Sequence, residues 1–196
     1  MWKLKSTSRR SESTSVPILQ DVSGRFTDKR HISLSAFGRK HLNRSRAWFN
    51  EPRLARLLGR TKTISVREHQ QWFSELAHRQ DCRYFAIESG KSLRHVGNVW
   101  LWAIDASNRK AELRIVIGEK DCVEQGIGTA AIKLLCRYAF NIMKLHKVYS
   151  YVHVTNRRAR RAFEKAGFAV DGLLRDDRCI RGRFVSVHML SRISHA

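Results

Sequence analysis

Two hydrophobic periods alternate along this chain, and the switches between them mark its elements. His31-Ile32-Ser33-Leu34-Ser35-Ala36-Phe37 alternates polar and apolar, the pattern of a half-buried strand. From Lys40 to Leu58 the spacing turns helical, with Leu42, Trp48, Phe49, Leu54 and Leu57 as the apolar set. Pro52 stands where a second helix would start, a first-turn position that tolerates proline. Ser65-Val66-Arg67-Glu68 has the spacing of a capping box, and the helix it opens carries Trp72, Phe73 and Leu76 toward a core. After Cys82 the strand period returns. Tyr84–Glu88 and Val96–Ile104 flank a Ser89-Gly90 turn as an antiparallel pair, and Lys110–Gly118 adds a third strand. Beyond Gly126-Ile127-Gly128, a helix keeps Ile132, Leu135, Ala139, Ile142 and Met143 on one face. Lys147–Val154 reads as a strand and Asn156–Ala166 as a helix capped by Gly167, with Ala169–Arg175 and Phe184–Leu190 as a closing hairpin.

The order β-α-α-β-β-β-α-β-α-β-β predicts a single α/β domain. Its sheet is mixed, mostly antiparallel and twisted, with helices on both faces and a strand–helix–strand crossover at Lys110–Val154. Residues 1–28 lack a hydrophobic period, and Ser6 to Ser15 is polar and of low complexity. Residues 1–28 are therefore expected to be a basic, flexible N-terminal arm, and residues 29–196 the folded domain. Met1–Arg10 lacks the apolar run of a secretory signal, and no window is apolar enough for a membrane span. A soluble, cytoplasmic protein without a membrane partner is expected.

Charge changes this picture more than composition does. Lys and Arg total 38 against 17 Asp and Glu, a formal net charge of +21. Such a field concentrates polyanions, so nucleic acid, the ribosome, nucleotide-linked substrates and cofactor phosphates are all candidate partners. A generally basic surface is the plainer reading, and nucleic acid is not favoured. Cys82, Cys122, Cys136 and Cys179 form no C-x-x-C pair, and no histidines are spaced as H-x-x-x-H. Neither a disulfide framework nor a metal site is expected.

Candidate chemistry concentrates between Ala111 and Ala131, AELRIVIGEKDCVEQGIGTAA. A strand ends, a loop follows, and two glycines open a helix whose free N–H groups and dipole suit a phosphate. A tight turn without a ligand explains the same glycines. A dinucleotide fold fits less well, because the motif follows antiparallel strands and the next strand ends in Val152-His153-Val154 without an acidic residue.

Strand, Val123-Glu124-Gln125-Gly126-Ile127-Gly128-Thr129, helix, strand, then NRRARRAFEKAGF from Asn156 to Phe168 resembles the GNAT superfamily of N-acetyltransferases. The resemblance spans roughly Arg30 to Ile193. Trp48-Phe49-Asn50-Glu51-Pro52, Tyr138-Ala139-Phe140 and Gly172-Leu173-Leu174-Arg175 are similar to its ribosomal-protein and sugar-amine branch. The resemblance implies acetyl-CoA as co-substrate and direct transfer of acetyl to a primary amine. It places the diphosphate on the loop Val123, Glu124, Gln125, Gly126, Ile127, Gly128 and Thr129, and the pantetheine and thioester on the backbone of Val116, Ile117 and Gly118. Asn156 falls beside the pantetheine, although a plain helix N-cap explains it equally. Glu112 falls at the position of the general base, although a strand-edge ion pair with Arg114 is the competing role.

Two positions depart from the family pattern. Val123 replaces Gln or Arg, and Phe163 replaces the tyrosine that often serves as general acid; Tyr149 or Tyr151 could substitute. Cys122 and Cys136 read as packing rather than nucleophiles. Of Arg157, Arg158, Arg160 and Arg161, two are expected to form a solvated face and the others to meet a phosphate or an anionic acceptor. The acceptor stays open between a protein N-terminus or lysine and an amino sugar or other small amine, anionic or ribosome-associated. Helices at Lys40–Arg60 and Val66–Arg79 are expected to line its cleft. The alternative is a non-catalytic, basic nucleic-acid- or ribosome-binding module on the same fold. Oligomeric state is left open.

Overall fold

The computed structural model of the protein describes residues 26–27 and 32–194. The arm expected at 1–28 lies outside the described residues, save for the backbone of Phe26–Thr27 (β1), which pairs with the next strand. That strand, β2 (Ile32–Ala36), leads through a single 3-10 turn at Arg39–His41 into α1 (Leu42–Asn50), α2 (Pro52–Leu57) and α3 (Val66–Leu76). Then come β3 (Arg83–Ser89), β4 (Arg94–Asp105), β5 (Lys110–Ile117), α4 (Ile127–Arg137), β6 (Lys147–His153), α5 (Arg157–Lys165), β7 (Ala169–Ile180) and β8 (Arg183–Ile193). One 8-stranded sheet holds them in the order β1-β2-β3-β4-β5-β6-β8-β7. Every neighbouring pair is antiparallel except β5 with β6, the crossover expected from the sequence.

Strand alternation builds two apolar layers. Val99, Leu101 and Leu113 point to one face, where Ala131, Leu134 and Leu135 of α4 and Phe163 of α5 cover them. Trp100 and Val116 point to the other face, beneath Trp48 and Phe49 of α1 and Leu54 of α2. Helices therefore lie on both faces of the sheet, each hiding an apolar stripe that water would otherwise meet.

Local chemistry sets the helix ends. Ser65 Oγ accepts from the Glu68 N–H (3.2 Å) while Glu68 Oε2 accepts from the Ser65 N–H (2.8 Å), the expected capping box. Pro52 opens α2 behind Glu51, whose carboxylate accepts from the Leu54 N–H at 2.8 Å. Helix α3 differs from expectation: its buried residue is His69, and Trp72, Phe73 and Leu76 are only half-buried.

A second difference follows α4. The helix widens into a π turn at Tyr138–Ile142, with the Met143 N–H donating to the Tyr138 carbonyl (3.1 Å). That wider turn shifts the helical phase. Ile142, expected on the apolar face, stands 60% exposed, and Leu145 is buried in its place. The closing hairpin is also longer than its apolar pattern. Its two-residue turn uses Arg181 (φ 51°) and Gly182 (φ 76°), the doubly left-handed geometry that matches strand twist.

Candidate active site

Strands β5 and β6 pair only at Lys110–Lys147, Ala111–Val148 and Glu112–Tyr149. Beyond Glu112 they part, leaving the inner edges of Leu113–Ile117 and Ser150–His153 without each other's hydrogen bonds. A cleft of ≈ 620 Å³ opens there, lined by Val116 and Ile117 on one strand and Ser150 to His153 on the other.

At the mouth of the wedge stands the glycine loop. Glu124 (φ 65°) and Gly126 (φ 77°) adopt left-handed conformations, and Gly126 is the N-cap of α4. No side chain caps this helix and no acidic residue stands in its first turn, so its leading N–H groups are open to an anion. Gly128 tests whether the loop is merely a turn. A Cβ there would approach nothing closer than Ile117 Cγ1 at 3.8 Å, so the surrounding protein does not demand glycine. The bare backbone keeps the space above the helix end clear for something else, and a diphosphate fits that space and its donors.

Gly118 is glycine for a different reason. A Cβ there would stand 1.9 Å from Trp48 Cδ2, so the indole lies directly on the backbone. Trp48 Nε1–H donates to Glu119 Oε1 (3.1 Å), and Glu119 also pairs with Arg44 (3.2 Å) and Arg94 (2.5 Å). This lock fixes the end of β5 where the cleft begins.

Glu112 stands at the apex of the wedge, 8% exposed and opposite Tyr149. Its carboxylate accepts two bonds from Arg114, at 2.8 Å from Nε and 2.7 Å from Nη2. The ion pair is therefore formed. A carboxylate offers about four acceptor positions, so the fork leaves room for a further donor. Arg114 in turn lies over the Trp102 ring (5.4 Å), whose other guanidinium neighbour is Arg79 (4.0 Å).

Tyr151 lines the cleft, in edge contact with Tyr149 (5.7 Å) and with Arg178 over its ring (5.7 Å); Tyr149 does not line it. Burial, and then the nearby Glu112, push the Tyr149 phenol up. Phe163 is 2% exposed and packs against Phe168, with no proton to give. Burial also holds the thiols protonated: Cys136 is pushed up to about 12 and Cys82 to about 11, and Cys122, which borders the cleft, is raised too. That matches packing rather than nucleophilic roles.

The expected residues Glu112, Val116, Ile117, Val123, Glu124, Gly126, Gly128, Thr129 and Asn156 all border the cleft. Gly118, Gln125 and Ile127 do not: Gly118 lies under Trp48, Gln125 is exposed, and the Ile127 side chain is buried in the core. Asn156 Oδ1 accepts from the Ala159 N–H (3.1 Å), so the helix-cap role is real, and its amide nitrogen is left for a ligand. Of the four arginines on α5, Arg158 and Arg161 line the cleft together with Lys165, while Arg160 pairs with Glu164 (2.8 Å). On the opposite wall are Phe49, Leu54, Leu57, Leu58, Arg60 and Trp100. No residue of α3 lines the cleft, contrary to expectation. Sequence reasoning missed Arg60, Lys165 and Arg178; only Gly59 before Arg60, a helix-end signal, hinted at an ordered position.

Three comparisons bear on this geometry. A family model described as an acetyltransferase (GNAT) domain matches residues 31–169. A spermidine N(1)-acetyltransferase of Vibrio cholerae is 31% identical over 142 residues, which cover 71% of this chain and 74% of that protein. The Escherichia coli K12 spermidine N(1)-acetyltransferase is 30% identical over 139 residues, covering 71% of this chain and 68% of that protein. Among solved structures, Vibrio cholerae spermidine N-acetyltransferase in complex with CoA and spermine matches with a TM-score of 0.78 at 26% identity. That match covers 83% of this chain and 95% of the other.

Proposed function

The chain belongs to the GNAT acetyltransferase family and uses acetyl-CoA as co-substrate, and we propose that it acetylates a small primary amine directly, with Glu112 as general base. One observation carries this reading: the wedge between β5 and β6, with a buried carboxylate at its apex and an uncapped helix N-terminus at its mouth. The first-turn N–H groups of α4, with Arg158, Arg161 and Lys165, would hold the phosphates. The free inner edge of β5 at Val116 and Ile117 would hold the pantetheine amides, and Asn156 would add its amide.

An aliphatic ammonium with pKa ~10 carries no lone pair at neutral pH and must lose a proton before it attacks. Glu112 takes up that proton, directly or through water, at an open acceptor position, while Arg114 keeps the carboxylate oriented. The amine nitrogen bonds to the thioester carbonyl carbon, the tetrahedral adduct collapses, and the carbon–sulfur bond breaks. A thiolate of pKa ~8.5 leaves readily, and Tyr151, the cleft-lining phenol, would return a proton to it. Spermidine, the substrate of the relatives named above, is the first acceptor to assay. No specific feature of the cleft favours the non-catalytic reading.

Calorimetry and steady-state rates test this together. Wild-type protein is expected to bind acetyl-CoA at micromolar concentration, and Gly126→Asp to lose that binding by straining the left-handed cap and placing a carboxylate where phosphate belongs. Glu112→Gln is expected to keep the binding and lose about 10²–10⁴-fold in kcat. Equal turnover by Glu112→Gln would remove Glu112 as the base, and no binding by wild type would remove the cofactor site.

A further inference from the structure

Resting on the transferase reading above, we propose that the acceptor is a primary amine carrying an anionic group, carboxylate or phosphate, and that Arg60 binds that group. The relatives' polyamine is the opposite kind of molecule, a cation at each amine near neutral pH.

Charge on the acceptor wall carries the argument. This wall is apolar at Phe49, Leu54, Leu57, Leu58 and Trp100, with Arg60 at its edge. A polycation held there would need carboxylates, since a partly desolvated charge needs a counter-charge. Among the described residues, the carboxylates lining the cleft are Glu112 and Glu124. Glu124 belongs to the glycine loop, and Glu112 is already forked by Arg114. A second ammonium would instead meet guanidinium groups.

Arg60 itself is held in place. The Gly59 N–H donates to the Arg56 carbonyl (3.1 Å) and the Arg60 N–H to the Ala55 carbonyl (2.7 Å), the double bond of a Schellman end. Gly59 takes φ 67°, which only glycine adopts readily. The guanidinium reaches over the Phe49 ring (6.0 Å); Glu68 of α3 feels its charge, but no carboxylate among the described residues forms an ion pair with it. A guanidinium without an ion-pair partner, on a fixed backbone turn beside an apolar wall, suits bidentate binding of a carboxylate or phosphate. Cofactor phosphates have their own cations, Arg158, Arg161 and Lys165, on the α5 wall. Arg60 is thus left for the acceptor.

The test compares four amines on wild-type protein: 6-aminohexanoate, O-phosphoethanolamine, n-hexylamine and spermidine. CoA release gives kcat/KM, and calorimetry on the CoA-loaded protein gives binding without turnover. An anionic amine is expected to exceed n-hexylamine by about tenfold and spermidine by more. Which of the two leads separates carboxylate from phosphate. Arg60→Glu, on an exposed turn, is expected to cut use of the anionic amine about tenfold, raise use of spermidine, and leave acetyl-CoA affinity unchanged. A wild-type preference for spermidine overturns the proposal. So does loss of acetyl-CoA affinity in Arg60→Glu, which would make Arg60 a cofactor ligand. Failure of both anionic amines to bind the CoA-loaded protein overturns it as well. Fast acetylation of spermidine leaves the transferase reading standing, whereas failure to bind acetyl-CoA strikes that reading itself.

Discussion

Two glycines ten residues apart show how the same residue answers different demands. Gly118 is required by the fold, because the Trp48 indole occupies the place of its Cβ. Gly128 is not, since a methyl there would meet only Ile117 at 3.8 Å. Urea unfolding is expected to show Gly118→Ala destabilised by about 1–3 kcal/mol, as in other overpacked sites. Gly128→Ala is expected to unfold like wild type and yet bind acetyl-CoA more weakly in calorimetry. Equal loss of stability in both variants would sink the distinction. Both glycines are plain in the sequence. Their different reasons are not, because Trp48 reaches Gly118 only through the packing of α1 on the sheet.

Helix α5 shows one element dividing its charges. Its four arginines follow one another within five positions, and the sequence offers no way to rank them. In the fold, Arg158 and Arg161 line the cleft with Lys165, and Arg160 turns to Glu164 and His188. Asn156 fixes the start of the helix through Ala159, and so sets which arginines face inward. The double variant Arg158→Glu/Arg161→Glu is expected to weaken acetyl-CoA binding at least about tenfold, by replacing phosphate partners with like charge. Arg157→Glu, outside the lining, is expected to change it little. Matching losses in the two proteins would return the whole helix to a solvated basic face.

On the scale of the whole molecule, a charge of +21 draws anions toward the cleft but says nothing about acid tolerance. Buried histidines decide that. His41 is 2% exposed; its Nδ1 accepts from the Gly38 N–H (2.9 Å) and its ring meets His95 at 4.7 Å. Burial, with His95 and Lys40 nearby, pushes it down to about 4 against the opposing pull of Glu88. The unfolded chain takes up that proton near pH 6.5, so stability is complete above that value and drains away as pH falls toward 4. The loss from His41 alone is roughly 3 kcal/mol. His69, His95 and His153 are lowered by burial too and act in the same direction. Asp81, Asp121 and Asp171, held low by Arg79, Arg94 and Lys147, give up their contribution only at still lower pH. Thermal melts at pH 7 and pH 5 are expected to show a clear drop for wild type. For His41→Gln the slope between them should be shallower, and an unchanged slope would clear His41 of the effect.

By itself the sequence determined what short-range chemistry encodes. Strand alternation, helical spacing, the Ser65–Glu68 capping box and the glycine-opened helix are signals between near neighbours, and they were enough for the strand order from β2 onward and for the family resemblance, though not for the short β1 at Phe26–Thr27. Tertiary structure decided the rest. It fixed where β5 and β6 part, since strand pairing depends on what packs on both sheet faces. It showed Glu112 forked by Arg114, where the sequence had left open that pair beside the base role that the family resemblance implies. It turned Ile142 outward through one π turn that no apolar period announces. And it brought Arg60 and Lys165 to the same cleft, because a side chain's neighbours across a cleft come from chain-distant elements that no local pattern relates.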